Sequence, residues 1–355
     1  MKNKYFVFLI SILIAGFFLT SCGGAGFIPS GWPGLIADKE TAYLATGPNI
    51  HAIDLKSGTE KWRYPEKVDP KHTYYTPPAY TWGGQLVIGS YGNKIMSFNP
   101  VSRSENWSNM AGNRFIGGVL IKNNMIYAPN ADSHLYAYDM GGNLLWQKKT
   151  NGPIWATPVS DGANKIIFVT SMDHRLYAFE AITGTPLWNK DLGNAITGTP
   201  AIGEDGILYV ATFGSEMFAI DTTTQEIKWR VAIKGWGWAG PAVKGDILYF
   251  GDYSGNFYAM RTADGSILWN MQPDGPILST PLVTENAVYF TTEAGTLYAV
   301  DHSGTILWNA TNQCKIYSSP VLAEDLILVA PTECEFYLLA YNQNGAQQWS
   351  FKPSK

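Results

Sequence analysis

Tryptophan recurs along this chain with a period that few folds can accommodate. Trp62, Trp107, Trp146, Trp188, Trp229, Trp269, Trp308 and Trp349 stand 39 to 45 residues apart, and each closes a similar phrase, as in HAIDLKSGTEKW (51–62), YAFEAITGTPLW (177–188) or YAVDHSGTILW (298–308). A fixed period of this length is the mark of a repeat architecture in which one supersecondary unit is copied. The phrases count eight units.

Within a unit, apolar residues such as Leu176, Ala178 and Ile182, or Phe218 and Ile220, alternate as in a strand with one buried face. Glycine stands four residues before the tryptophan in six units (Gly58, Gly142, Gly184, Gly265, Gly304, Gly345), where a hairpin can call for a positive φ. Arg103 and Gln225 take its place in the second and fifth units, and those turns are expected to use another geometry. Most units open after a proline, as at Trp32-Pro33, Thr157-Pro158 or Gly240-Pro241. The third has Gly117-Gly118 instead. Proline lacks a ladder donor and suits the start of a strand. Four short strands per unit, with no helical period, make an antiparallel blade. Eight blades set radially form an all-β, eight-bladed propeller over residues 32–355.

The phrase Ala-x-Asp-x-x-x-Gly-x-x-x-Trp, nearly complete in 52–62, resembles the tryptophan-docking motif of the pyrroloquinoline-quinone-like (PQQ-like) repeat propellers, and the resemblance covers all eight units. It implies that each indole packs on the next blade and locks the ring, which makes the eight tryptophans structural. It also raises PQQ-dependent dehydrogenase activity as an alternative. Against that stand the lack of adjacent cysteines, of long insertions, of a Cys-x-x-Cys-His haem site and of a calcium-type acidic loop. Asp139, Asp221 and Asp301 recur at the motif position and are expected to cap turns. His51, His72, His134, His174 and His302 are scattered without metal-ligand spacing, and no nucleophile elbow or phosphate loop is present. No catalytic residue, metal or cofactor is therefore assigned.

The first residues set the compartment. Lys2 and Lys4, an apolar run from Tyr5 to Leu19 and the box Leu19-Thr20-Ser21-Cys22 read as a lipoprotein signal peptide over 1–21. The run is too short to span a bilayer comfortably. Cys22 is the expected lipidation site and 22–31 the lipidated tether. The expected location is the cell envelope, on the periplasmic face of the outer membrane or the outer leaflet of the cytoplasmic membrane. Losing Lys2 and Lys4 moves the net charge from −4 to −6. Without basic runs, nucleic acid is not an expected partner. Cys314 and Cys334 remain as a candidate disulfide in an oxidising compartment.

Strand order brings the loop before each first strand and the turn between second and third strands onto one rim. Three residues before the aligned proline this rim reads Ser30, Tyr75, Phe115, Trp155, Thr197, Trp238, Leu278 and Tyr317, with Trp236 beside it. Rings give binding area at low entropic cost. Tyr75, Phe115, Trp155, Trp236, Trp238 and Tyr317 form the candidate binding rim. A monomeric scaffold that binds an envelope protein is the leading expectation, as in propeller lipoproteins of the outer-membrane β-barrel assembly machinery, which the chain resembles; a glycan- or ligand-binding envelope module is a further alternative.

Overall fold

A computed structural model of the chain describes residues 31–354; Ser30 and the expected signal peptide and lipidation site at Cys22 lie outside the described residues. Trp32–Lys355 forms one compact unit. It holds eight four-stranded antiparallel sheets, each in simple consecutive order. The first blade is built from Gly34–Ala37, Thr41–Thr46, Asn49–Asp54 and Glu60–Tyr64. The next six span 79–110, 120–149, 159–191, 201–232, 242–271 and 282–311. The last comprises Val321–Ala323, Leu326–Val329, Leu338–Asn342 and Gln347–Phe351. First strands of neighbouring blades meet around the axis, including Gly34–Ala37 against Val321–Ala323, so the ring is closed.

The core is divided among the blade interfaces. Eight hydrophobic clusters each draw on two adjacent blades, the last joining Leu35, Leu44 and Ile53 of the first blade to Leu328, Leu338 and Phe351 of the eighth. Second and third strands are therefore covered on both faces. Arg175–Glu180 and Glu216–Asp221 are buried along their whole middle, rather than on the single face that their alternation suggests. Ile182 belongs to the following turn and is exposed. Only the fourth strands alternate, because one side meets the next blade and the other meets water, as in Pro186–Asp191.

Each motif tryptophan pairs across the ladder with a small residue, Ala52 with Trp62 through Ala340 with Trp349, and in every blade a β-bulge follows that pair. The bulge turns the indole toward the neighbouring blade. There Trp107, Trp146, Trp229, Trp269, Trp308 and Trp349 each donate Nε1–H to a turn carbonyl at 2.7 to 2.9 Å, the acceptors being Met140, Ile182, Thr262, His302, Gln343 and Leu55. The ring plane lies against the turn glycine. A Cβ added to Gly58, Gly304 or Gly345 would come within 2.7 Å of the indole above it.

The two turns without glycine correct the expectation drawn from them. Arg103 and Gln225 adopt φ of 56° and 63°, the same left-handed backbone as the six glycines. What changes is the indole. Trp62 and Trp188, which face these turns, make no Nε1–H bond among the described residues, although they keep the second-strand ring contact of the other blades, Trp62 with Tyr43 and Trp188 with Phe168 as Trp229 with Tyr209. A Cβ at the docking position occupies the space the ring would fill.

Candidate binding rim

The loop before each first strand and the second-to-third turn of the same blade are tied by backbone bonds, such as Phe213 N–H to Ala195 O (3.0 Å), Tyr253 N–H to Trp236 O (3.0 Å) and Glu293 N–H to Pro276 O (2.8 Å). These segments form one rim, with the mouth of the axial channel at its centre. The mouth encloses about 190 Å³ and draws lining from all eight blades, with Trp32, Tyr75, Trp155, Trp238 and Tyr317 as its aromatic members.

From the mouth a chain of six rings runs outward over the fifth and sixth blades. Tyr317 stacks on Trp32 (centroids 5.1 Å apart, planes at 17°), and Trp32 meets Trp238 at 5.2 Å. Trp238 stacks on Phe213 at 5.3 Å, Phe213 on Trp236 at 6.1 Å, and Trp236 on Tyr253 at 5.5 Å. Trp236 is 52% exposed and Tyr253 41%. In contrast to six of the docking tryptophans, Trp32, Trp155, Trp236 and Trp238 leave Nε1–H without a partner among the described residues. Trp155 also has no ring neighbour. Tyr75 packs on Tyr91 at 5.1 Å, and Tyr317 donates its hydroxyl to Glu293 at 2.9 Å.

One candidate does not belong to the rim. Phe115 is fully buried between the second and third blades, over Gly89. Its N–H bonds Ser90 O as that of Ile154 bonds Asn130 O and that of Ile277 bonds Asp252 O, so Phe115 fills their core position. With no proline in the third unit, alignment on Gly117-Gly118 slips by one residue, and Ile116 faces the mouth instead.

The family is decided by the repeats themselves. Matches to the family described as outer membrane protein assembly factor BamB cover residues 46–160, 140–234 and 229–352. The chain belongs to the BamB family. Among curated relatives, the assembly factor BamB of Nitrosomonas eutropha is 24% identical over 160 residues, covering 44% of this chain and 38% of that protein. BamB of Xanthomonas campestris pv. campestris is 21% identical over 274 residues, covering 59% and 66%. The aligned stretches thus span less than two thirds of either relative. Of the solved structures, BamB from Moraxella catarrhalis superposes with a TM-score of 0.73 at 16% identity, covering 83% of this chain and 92% of that one. The designed Ika8 protein gives 0.77 at 14% (88% and 96%), and a europium-containing methanol dehydrogenase 0.69 at 14% (86% and 83%). These three likenesses concern fold alone.

Other singled-out residues of this BamB-family chain have local roles. Asp139, Asp221 and Asp301 accept backbone N–H groups within their own turns at 2.9 Å, from Gly141 and Asn143, Thr223 and Thr224, and Ser303 and Thr305. Those bonds, led by the Asn143 side chain, the Thr224 amide and the Ser303 hydroxyl, hold the three carboxyls below the usual range. A disulfide joins Cys314 to Cys334 on the rim beside a two-stranded clip in which Lys315 and Ile316 pair with Thr332 and Pro331. His134 sits by Asp132, His174 occupies a turn at φ 76°, and His302 bonds the Tyr249 hydroxyl at 2.7 Å. Among the described residues no group of three or more His, Cys, Asp or Glu is arranged to hold a metal ion. Trp32, Phe213 and Tyr253, absent from the candidates named from sequence, complete the ring chain. Aligning the second-to-third turns would have found two of them, since Tyr91, Phe213 and Tyr253 share one turn position.

Proposed function

We propose that this chain is a lipid-anchored, monomeric envelope propeller that holds a protein partner on its aromatic rim and serves in outer-membrane protein assembly. The observation that carries the reading is the ring chain Trp238–Phe213–Trp236–Tyr253, which runs from half-buried rings to the exposed Trp236 and Tyr253 and whose indole N–H donors are unspent. Stacked aromatics with free donors are what a partner's hot spot engages. Similarity to the outer-membrane protein assembly factors BamB supports the assembly role, and the box ending in Cys22 supports the anchor at the membrane surface. A binding module, not an enzyme, is the reading these features favour.

A photo-crosslinking residue placed at Trp236 in cells tests it, with the same residue at Trp82, a fully exposed tryptophan in a first-to-second strand turn on the other rim. A β-barrel assembly protein captured at position 236 and not at 82 is the expected result. Capture at 82 alone would sink the rim as the docking face. Cys22→Ser is expected to release the protein from the membrane fraction and to abolish palmitate labelling.

A further inference from the structure

The axial mouth differs in chemistry from the ring chain that leaves it. No charged side chain lines it. Its walls are aromatic, and between them stand the hydroxyls of Thr157, Thr199, Thr280 and Ser319. The Oγ1 of Thr199 accepts the N–H of Thr157 at 3.1 Å, and the Oγ of Ser319 accepts that of Thr280 at 3.0 Å. Each accepting hydroxyl keeps its own hydrogen to donate. The hydroxyls of Thr157 and Thr280 have no partner among the described residues, nor has the indole N–H of Trp32, Trp155 or Trp238. Trp155, half-buried, lines the mouth with no ring stacked on it among the described residues.

We infer that this mouth binds the terminal ring of an uncharged saccharide. A pyranose has an apolar C–H face that lies on an indole and a perimeter of hydroxyls that both donate and accept. Those are the two things the mouth presents. An anion would find no cation here. An apolar peptide side chain would cover the hydroxyls and indole N–H groups without pairing them, and each group left unsatisfied would weaken its binding. At about 190 Å³ the space falls below the roughly 300–1,000 Å³ of sites for larger ligands. One ring enters and the rest of the glycan stays outside. The inference goes beyond the protein-docking reading and does not rest on it, because Trp236 and Tyr253 lie outside the mouth.

The test uses the full chain in a sugar-free detergent, titrated with N-acetylglucosamine oligomers and with maltotetraose, and followed by tryptophan fluorescence and by calorimetry. Saturable binding of at least one series is expected, weakened about tenfold by Trp155→Ala and by a smaller factor in Thr199→Val. Trp155→Phe, which keeps a ring in place, should retain most of the affinity and guards against a folding defect. Trp236→Ala should leave saccharide binding unchanged. If neither series saturates in the millimolar range, or if a short Trp-containing peptide binds in a Trp155-dependent way while the saccharides do not, the inference is overturned. Loss of crosslinks at position 236 with saccharide binding intact would remove the docking reading alone.

Discussion

Trp349 of the last blade lies over Gly58 of the first, and its indole N–H reaches the carbonyl of Leu55 at 2.8 Å. Every other seam has a covalent connection as well as its indole; this one has none. Arg63 of the first blade adds a bond to the Ser354 carbonyl at 3.1 Å, and the shared cluster of Leu35, Leu328 and Phe351 supplies the apolar part.

Trp349→Ala should therefore open the ring at its weakest seam. A loss of about 3 kcal/mol is expected from removing a packed tryptophan, read as a lower denaturant midpoint. Trp82→Ala, on a fully exposed ring, should leave the midpoint where it is. Gly58→Ala should approach the effect of losing the indole, because the new methyl meets both a left-handed backbone at φ 69° and the ring above it.

Arg103→Gly and Gln225→Gly should each raise stability by about 1 kcal/mol, since a non-glycine residue there carries the cost of left-handed φ. Both also clear the space below an indole. Trp62 or Trp188 should then show the spectral shift of a newly buried, hydrogen-bonded ring, and an unchanged spectrum would count against the steric account of these seams.

Replacing Cys314 and Cys334 by serine removes a cross-link spanning 20 residues, worth about 3 kcal/mol by the chain-entropy relation. The loss should concentrate in the last blade. Hydrogen exchange in Val321–Ala323 and Leu338–Asn342 should rise well before that of the central blades.

His51 is buried at the closing seam, edge-on to Tyr337 and Phe351, with Nδ1 2.6 Å from Glu60. Burial lowers its pKa and outweighs the opposing pull of Glu60. The folded chain thus holds a proton at His51 less readily than the unfolded chain does. Stability is fully present above the unfolded value of about 6.5 and declines as pH falls from there through the lower folded value. Denaturation midpoints at neutral and mildly acidic pH should differ, and His51→Asn should narrow the difference.

The blade count was legible because the docking tryptophan repeats once per unit whatever the intervening loops do. Less legible was what the docking glycine is for. Sequence alone suggests a φ requirement, yet Arg103 and Gln225 meet it, and the room under the indole is what they lack. Phe115 was misplaced because the third unit lacks the proline that marks register elsewhere. The ring chain is not legible in the sequence for a different reason. Trp32, Phe213 and Tyr253 sit singly in loops and turns, and only the packing of neighbouring blades brings them into line.

All eight blades are uninterrupted segments, and seven are joined from the perimeter of one to the axis of the next, as in the nine residues between Asp191 and Ala201. A peptide of similar length from Phe351 to Gly34 would be an eighth link of the same kind. With it in place, the chain could start between any two blades, and no blade would be first by necessity of the fold.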